Sequence, residues 1–414
     1  MTSRRAHALV FASLVLAALA LTAQRGEAHK PITSKYTYND DVFPIFRDKC
    51  ARCHVKGGVA PMSLMTYEEA FPWAESIRAE LVAAHMPPAT ADDGFGDVKR
   101  AHTLSPNEVD IVLTWATGGN PRGSLDQTLP EIGLKNDWPL GKPDLALPLA
   151  AEYAMPADTM DDTKEFTLST GGAAPRWVRA VDLLPGTPSI VRSAVIYVKG
   201  ASGNSGAPGP DRVLARWLPG QDPEPVDGGG AFRLAAGAEV VARIHYKKTW
   251  QFEGKALSDR STVGIYFSQD KDAREMVSVA LTSPALPPVS QMTPDTTPKV
   301  TFTQTLDEDV RALALSSDQV PDNVTLQVEA IRPDGTRAPM VRFNARPDWS
   351  RRYWFEQPIS LPRGTRIEVV ASLNDPNLIA AAFGGPSAPT KDTGPASVRL
   401  ALDVVPTRNR PAAP

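Results

Sequence analysis

The spacing of apolar residues changes twice along this chain of 414 residues. An apolar run from Leu9 to Leu21, with Ser13 as its one polar residue, follows two arginines at the N-terminus. Between residues 29 and 123, apolar positions recur three and four apart, which predicts amphipathic helices. After about residue 141, short runs rich in Val, Ile and aromatic residues alternate with Gly- and Pro-rich turns, which predicts strands. The pattern therefore divides the chain into a leader, a helical region and a longer β region.

The leader, residues 1–28, has the layout of a secretory signal peptide. Two arginines precede the apolar run, and Gly26 and Ala28 supply small residues for cleavage. The run is short for a membrane span, so we expect a periplasmic or otherwise exported protein with no integral membrane span after cleavage. Cleavage before His29 would put an amine and an imidazole on one residue, and whether these bind a metal stays open.

Three helices are predicted in the helical region. The first runs from Asn39 to Arg52. The second begins at Thr66-Tyr67-Glu68-Glu69 and the third at Ser105-Pro106-Asn107-Glu108, which are capping boxes that satisfy free N–H groups of a first helical turn. Gly118-Gly119 ends the third helix. These elements predict a small all-α domain over residues 29–123.

The β region is predicted to form two antiparallel β-sandwich domains of jelly-roll type. A linker rich in Gly, Pro and Asn covers residues 124–140, the first sandwich covers 141–290, and the second covers 296–406. A stretch rich in Pro, Thr and Ser, from Leu281 to Pro298, separates the two sets of strands. Pro333-Asp334-Gly335-Thr336 lies between two strand-like runs and is typical of a hairpin turn.

Composition narrows the possible functions. The formal net charge of -3 gives no sign of nucleic-acid binding, and 42% hydrophobic residues is ordinary for a globular chain. The chain has two cysteines, and both lie in one motif, so we expect the β region to fold without disulfides. No motif for hydrolysis or phosphate chemistry occurs.

The cysteine motif is Cys50-Ala51-Arg52-Cys53-His54. Its C-x-x-C-H spacing is the signature of covalent haem attachment, because two thiols on one turn can add to the two vinyl groups of a haem while the next imidazole reaches the iron. We expect one haem c on Cys50 and Cys53, with His54 as the proximal iron ligand. A redox dithiol or half of a zinc site is the alternative, although the sequence offers neither a βαβ context nor two further nearby ligands.

A methionine after the motif is expected to supply the distal iron ligand, since a thioether there raises the potential and suits electron transfer. Met86 is the candidate, because the two prolines of Met86-Pro87-Pro88 restrict the backbone directly after it. Met62 and Met65 are expected to lie in the core. His85 is the rival ligand and would give a bis-histidine haem of lower potential.

The stretch from Tyr38 to Gly119 resembles the cytochrome c domains of large bacterial multidomain proteins. The resemblance lies in Val42-Phe43-Pro44-Ile45-Phe46, Met86-Pro87-Pro88 and Trp115-Ala116-Thr117-Gly118-Gly119. In that family an M-P-P element supplies the distal sulfur, so the resemblance implies Met86 as distal ligand. The fold class expected for the chain is therefore multidomain, with an all-α cytochrome c domain followed by two antiparallel β-sandwich domains.

The β region resembles the copper type II, ascorbate-dependent monooxygenases, which include the peptidylglycine α-hydroxylating monooxygenase. The matching segments follow the family's order: Trp138-Pro139-Leu140-Gly141-Lys142-Pro143-Asp144, Trp177-Val178-Arg179-Ala180, Leu184-Pro185-Gly186, Leu218-Pro219-Gly220, Ile244-His245-Tyr246 and Leu361-Pro362-Arg363-Gly364-Thr365. The resemblance implies two β-sandwiches with one copper site on each.

The imidazoles that such copper sites need are missing. Arg192-Ser193 stands where the family has a His-His pair, and Leu315-Ser316-Ser317-Asp318 stands where it has His-x-His. His245 matches the one remaining ligand position, and a single imidazole does not hold a catalytic copper. We therefore expect no bound copper, and Arg192 is conjectured to place a cation where the metal would lie.

Together these features predict an exported c-type cytochrome: an iron- and haem-containing, metal-binding protein for electron transfer to or from an unidentified redox partner protein. We expect no catalytic residues, so the chain is not expected to be an enzyme, and the monooxygenase-like β region would serve docking or binding. A haem-fed copper monooxygenase is the enzymatic alternative, against which the missing histidines argue. A mainly structural or binding protein with a vestigial redox role is the third.

Overall fold

The computed structural model describes residues 33–88, 91–99, 103–200, 211–285, 299–321, 324–373 and 397–407. The predicted signal peptide and His29 lie outside the described residues. Of the residues described, 41% are in strands and 14% in helices. Within these ranges, no helix has the length and apolar character needed to cross a membrane.

Helical segments are concentrated in the N-terminal region and are short. Two stretches, Tyr38–Val42 and Phe46–Cys50, have hydrogen bonds between residues five apart and flank a single turn, α1 (Phe43–Ile45). The rest of this region contains α2 (Tyr67–Ala70), the 3-10 turn Phe71–Trp73, α3 (Ala74–Val82) and α4 (Pro106–Thr117). Two more 3-10 turns, Trp250–Phe252 and Pro347–Trp349, lie between strands.

The predicted all-α cytochrome c domain is therefore wrong. The two longest helices, α3 and α4, have nine and twelve residues, and the described chain is mainly β. Proline is one physical reason, because it lacks an N–H and its ring clashes with the preceding turn. Pro44 lies inside the first predicted helix, which is split into three short stretches. Pro72 lies in the 3-10 turn that divides the second predicted helix into α2 and α3.

Buried aromatic side chains hold the helical segments together. Tyr38 is 0% exposed, and its ring centre lies 6.3 Å from that of Phe46 and 6.0 Å from that of Trp115. The Tyr38 hydroxyl donates to the carbonyl of Leu64 at 2.8 Å. These contacts fix the segment before the cysteine motif, and the loop after it, against α4.

The first part of the β region forms two main sheets. Its strands are β1 (Leu145–Pro148), β2 (Tyr153–Met155), β3 (Asp161–Ser169), β4 (Arg176–Leu184), β5 (Val191–Val198), β6 (Arg212–Trp217), β7 (Gly230–Leu234), β8 (Glu239–Lys247), β9 (Leu257–Asp259), β10 (Thr262–Phe267) and β11 (Arg274–Glu275). One sheet has the order β1-β10-β4-β7-β11 and the other β3-β8-β5-β6, while β2 pairs with β9. Apolar side chains from both main sheets form one buried core.

The remaining strands form a second pair of sheets. They are β12 (Val277–Thr282), β13 (Lys299–Thr305), β14 (Val310–Gln319), β15 (Val324–Ile331), β16 (Arg337–Ala345), β17 (Arg352–Leu361), β18 (Arg366–Leu373) and β19 (Arg399–Pro406). The sheet orders are β12-β19-β14-β17 and β13-β18-β15-β16, with a buried apolar core. The expected β-sandwich architecture is confirmed. Strand β12 lies before residue 290 in the chain but pairs with β19 of this second sandwich.

The guanidinium of a buried ion pair in the second sandwich also binds the first, and the two sandwiches together are called the β body (β1–β19). Arg352 Nε donates to Asp403 Oδ2 at 2.7 Å, and the two side chains are 6% and 1% exposed. The same guanidinium donates to the carbonyls of Leu214 and Val213 in β6, at 2.8 and 3.0 Å. These bonds fix β6 of the first sandwich against β17 of the second.

Candidate functional site

A largely apolar cavity of about 430 Å³ lies between the helical region and the β body. This volume is in the range of small-molecule and cofactor pockets. Cys50, Cys53, His54 and Met86 all line it. The structure thus brings the four predicted site residues to one cavity.

A single turn of chain presents the first three of these residues. Phe46–Cys50 ends where the N–H of Ala51 donates to the Phe46 carbonyl at 2.9 Å. The N–H groups of Cys53 and His54 then donate to the Cys50 carbonyl at 3.1 and 2.9 Å. Because these bonds close a compact turn, the two thiols and the imidazole reach the same cavity.

The two cysteines are free and half-buried, with their thiols lining the cavity. Burial raises the pKa of Cys50 to about 12 and that of Cys53 to about 11, although the positive charges of Arg192 and Arg52 pull the Cys53 pKa down. Both thiols are therefore protonated at neutral pH, and a thiol is a much weaker nucleophile than a thiolate. The raised pKa values thus lower the nucleophilicity of both cysteines in the folded chain.

His54 is held as a neutral imidazole. Burial lowers its pKa, and its Nδ1 lies 3.2 Å from the carbonyl oxygen of Met62. When Nδ1–H donates to that carbonyl, Nε2 carries the lone pair that can bind a metal ion. The local structure therefore leaves Nε2 of His54 able to bind a metal ion in the cavity.

The structure separates Met86 from its rival, His85. The His85 side chain is 40% exposed, and its Nδ1 lies 3.2 Å from a carboxylate oxygen of Glu80, whereas Met86 lines the cavity. Met62 also lines the cavity, but its carbonyl lies against His54, beside the proximal imidazole. Met65 is 5% exposed and lies in the core, as predicted. Met86, and not His85, is thus the neighbouring side chain that lines the cavity with Cys50, Cys53 and His54.

The β body supplies one wall of the cavity through the turn Leu218-Pro219-Gly220. The carbonyl oxygen of Pro219 lies 3.5 Å from Cys53 Sγ. Arg52 Nη1 lies 2.6 Å from Asp222 Oδ1 and 3.3 Å from the Gly220 carbonyl oxygen. These contacts join the cysteine motif directly to the first sandwich.

Glycine is required at position 220. Its φ is +74°, and a Cβ there would lie 2.9 Å from the Cβ of Arg52 and 3.1 Å from Cys53 Sγ. Sequence reasoning missed this wall, because it used Leu218-Pro219-Gly220 only as a family resemblance. A Pro-Gly turn predicts a loop but not its contact with Cys53, which is 166 residues away in the chain.

No cluster of metal-binding side chains accompanies the cavity. Across the described ranges, no group of three or more His, Cys, Asp or Glu side chains could hold a metal ion. The cysteines and His54 lie around a wide cavity and do not meet at one point. The predicted description of the chain as a metal-binding, monooxygenase-like cytochrome c is therefore contradicted within these ranges, where only its β-sandwich part is matched.

His245, which was matched to a copper ligand, forms a side-chain pair on the strands of the first sandwich. Its Nε2 lies 2.8 Å from Asp161 Oδ1, and Lys247 Nζ lies 3.3 Å from the other oxygen of that carboxylate. Its cross-strand neighbours are Thr163 and Ser193. The surroundings of His245 are those of an ion-pair cluster.

No family model matches the chain, and no curated protein matches it. Solved structures resemble it weakly. An allantoicase is 9% identical over 58% of this chain and 77% of its own, with a TM-score of 0.17. A fucolectin from the serum of striped bass (Morone saxatilis) is 8% identical over 62% and 86%, with a TM-score of 0.17. At such TM-scores these similarities carry no argument, and both family resemblances stay predictions from sequence.

Proposed function

We propose that the protein is an exported electron carrier with one haem attached covalently through Cys50 and Cys53. His54 is the proximal iron ligand and Met86 the distal one. The observation that supports this function best is the shared cavity, since both cysteines of the chain, the adjacent imidazole and a methionine line one apolar space. The proposal does not require an all-α domain around the haem.

The side chains of the cavity fit a haem. A porphyrin itself supplies four ligands to its iron, so no cluster of three protein side chains is needed. The helical region contributes an apolar wall against which a porphyrin can pack: Ile45, Phe46, Leu64, Ile77, Leu104 and Val112. Such a wall excludes water, which favours a stable axial thioether bond.

Covalent attachment uses the two cysteines as free thiols. In each addition the S–H bond breaks, the sulfur bonds to one carbon of a vinyl group, and the hydrogen goes to the other carbon, so no oxidant or reductant is consumed. Because the carbonyl oxygen of Pro219 lies 3.5 Å from Cys53 Sγ and burial raises the pKa of both thiols, we infer that attachment precedes packing of the Leu218-Pro219-Gly220 turn against the motif.

A bound haem supplies one-electron chemistry, and the protein's own residues hold it ready for transfer. The hydrogen bond from His54 to the Met62 carbonyl fixes the orientation of the imidazole, and Met86 adds a neutral sulfur ligand. The leader at residues 1–28 supports export, where a redox partner protein would exchange electrons with the haem. The β body closes one side of the cavity and would serve docking or binding.

Intact-protein mass spectrometry under denaturing conditions tests this function. The full chain is produced together with a haem-attachment system, and we expect the mature mass plus one haem. The double variant Cys50→Ala/Cys53→Ala should lack the added mass, whereas Lys56→Ala, at an exposed position beside the motif, should retain it. A wild-type protein without added haem would contradict the proposal and leave the cysteines as a dithiol pair.

A further inference from the structure

Two arginines of the β body lie in the wall of the same cavity. Arg192 belongs to β5 of the first sandwich, and Arg351 directly precedes β17 of the second. Each sandwich therefore contributes one guanidinium to the cavity that Cys50 and Cys53 line. The proposed attachment of haem does not explain either cation.

A β-bulge sets the position of Arg192. In the ladder between β5 and β8, Val191 pairs with Tyr246 and Ser193 pairs with His245, so Arg192 is the extra residue between them. A bulge bends its strand and changes the direction of the extra side chain. Arg192 is thus taken out of the regular alternation of β5 and lines the cavity.

The charge of Arg192 is poorly compensated within the described residues. Burial lowers its pKa, and its buried Nε has no hydrogen-bond partner there. Asp348 and Asp161 influence it through space only, and Asp161 already contacts His245. A buried guanidinium without a paired anion is unfavourable, so this position suits an anionic ligand.

Arg351 brings a second desolvated cation to the wall. Burial lowers its pKa, and its Cζ lies 5.3 Å from the centre of the Tyr353 ring. An aromatic ring beside the guanidinium fixes its plane, and a fixed guanidinium plane matches the geometry of a carboxylate. Carboxylates are the anions that a guanidinium binds with two parallel hydrogen bonds.

We propose that Arg192 and Arg351 form a carboxylate-binding site in the β-body wall, and that the haem propionates are the carboxylates bound. This inference rests on the proposed function. Both arginines are positioning residues, which orient the ring and neutralise its anionic edge. The β body is then a part of the haem pocket and not only a docking module. A small free carboxylate that enters the cavity would bind the same two guanidinium groups. The experiment therefore distinguishes haem propionates from free carboxylates.

The first measurement is the midpoint potential of the haem-loaded protein as a function of pH. A propionate paired with arginine stays ionised and compensated around neutral pH, so the wild-type potential should vary little there. In Arg192→Gln the uncompensated carboxylate stabilises the oxidised haem at high pH and is protonated at low pH. The variant's potential should therefore lie below that of the wild type at pH 8 and approach it in acid.

Two control variants separate charge from structure. Arg192→Lys keeps a cation and should restore part of the wild-type potential at pH 8. Arg233→Gln removes an exposed arginine on β7 of the same sandwich and should follow the wild-type curve. Resonance Raman spectra supply a second readout, because the propionate bending band should shift in Arg192→Gln and stay unchanged in Arg233→Gln.

Succinate serves as the probe for the other source of carboxylate. If the propionates occupy the site, added succinate should leave the wild-type potential unchanged. If free carboxylates occupy it, succinate should shift the wild-type potential and have no effect on Arg192→Gln, which would still support a carboxylate site. Folded, haem-loaded Arg192→Gln and Arg351→Gln variants that match the wild type in pH profile, Raman band and succinate response would overturn the inference.

Failure of the proposed electron-carrier function can be distinguished from failure of the carboxylate site. A wild-type chain without covalent haem in the mass spectrum contradicts the electron-carrier proposal and leaves the arginines testable by another route. In that event, succinate should raise the thermal unfolding midpoint of the wild-type chain but not that of Arg192→Gln. If succinate shifts the unfolding midpoint of both chains equally, or of neither, the carboxylate site is overturned as well.

Discussion

Two regions of the molecule carry residue patterns that are typical of metal chemistry, the cavity at Cys50–His54 and the strand position of His245. In the cavity, a histidine with a fixed orientation, two thiols and Met86 line one enclosed apolar space. At His245, the imidazole contacts the exposed carboxylate of Asp161. The comparison shows that the cavity brings several candidate ligand groups together, whereas at His245 a single imidazole pairs with a carboxylate.

The two regions are neighbours joined by Arg192. This residue lies next to Ser193, the cross-strand partner of His245, yet it lines the cavity on the other side. Arg192, which the sequence resemblance placed near a lost copper site, thus lines the cavity of the cysteine motif. If this contrast holds, substitutions in the cavity and its walls should have larger effects than substitution of His245.

The largest effect is expected at Met86. In the oxidised, haem-loaded protein, Met86→Ala should abolish the absorption band that arises from the sulfur-to-iron bond, because the variant lacks the thioether of the proposed distal ligand. His85→Ala is the matched control and should leave the band in place, since the His85 side chain lies on the surface beside Glu80. Loss of the band in His85→Ala and its retention in Met86→Ala would reverse the assignment.

Asp182 is a buried carboxylic acid in the β body, beside the cavity, and its burial affects stability. It lies on β4, is 3% exposed, and lines a smaller cavity that shares Gln221 with the large one. Burial raises its pKa from 3.8 to about 7. The folded state therefore keeps a proton that the unfolded chain releases near pH 4, and the free energy of unfolding falls as pH rises from about 4 to 7.

Asp182→Asn should remove this contribution. We expect the variant and the wild type to be similarly stable at pH 4, and the variant to be more stable at pH 8 by a few kcal/mol, since one pKa unit corresponds to about 1.4 kcal/mol. Urea unfolding at both pH values measures the difference. Asp137→Asn, at an exposed position, is the control and should show no pH-dependent change. An equal effect of pH on Asp182→Asn and the wild type would show that the carboxyl titrates normally.

Gly220 tests whether the β body closes the cavity. Gly220→Ala combines an unfavourable positive φ with a close contact to Arg52 and Cys53, and should lower the free energy of unfolding by about 2–3 kcal/mol. Gly237→Ala has a similar φ of +67° with nothing within 4 Å of the added Cβ, so it should cost only about 1 kcal/mol. Equal losses in chemical denaturation would mean that the turn does not press on the cysteine motif.

The smallest effect is expected at His245. Copper added to the wild-type protein should show no tight stoichiometric binding at this residue in isothermal titration calorimetry, and His245→Gln should give the same trace. The imidazole is 17% exposed and its Asp161 partner 52% exposed, and an ion pair that reaches solvent contributes little, so this variant should change the free energy of unfolding by less than about 1 kcal/mol. Tight one-to-one copper binding that disappears in His245→Gln would remove the contrast between the two regions.

Local features of the fold could be predicted from the sequence. Thr66 Oγ1 accepts from the N–H of Glu69 at 3.2 Å, and Ser105 and Glu108 form the reciprocal capping box, so both predicted helix starts are confirmed. Each of these signals involves side chain and backbone within one turn. The predicted helix lengths failed where proline interrupts the pattern, because apolar spacing alone does not register the missing N–H.

In the candidate site too, the residues of local motifs could be predicted from the sequence, whereas the residues that tertiary packing brings together could not. The cysteine motif can be recognised from five consecutive residues. The two prolines after Met86 and the M-P-P resemblance favour Met86 over His85 as the predicted distal ligand. The wall formed by Leu218-Pro219-Gly220, Arg192 and Arg351 could not be predicted. Its residues come together only when β5, the turn after β6 and the start of β17 dock, and no local pattern specifies that arrangement.

Covalent attachment of haem to Cys50 and Cys53 in this cavity is the proposal on which the predictions for Met86 and the two arginines depend. The most direct measurement is the reduced-minus-oxidised visible spectrum of the full chain, produced with a haem-attachment system and followed through denaturation. We expect sharp reduced bands in the folded protein and haem that remains on the unfolded chain. A colourless protein, or one that releases its haem on unfolding, would contradict the claim.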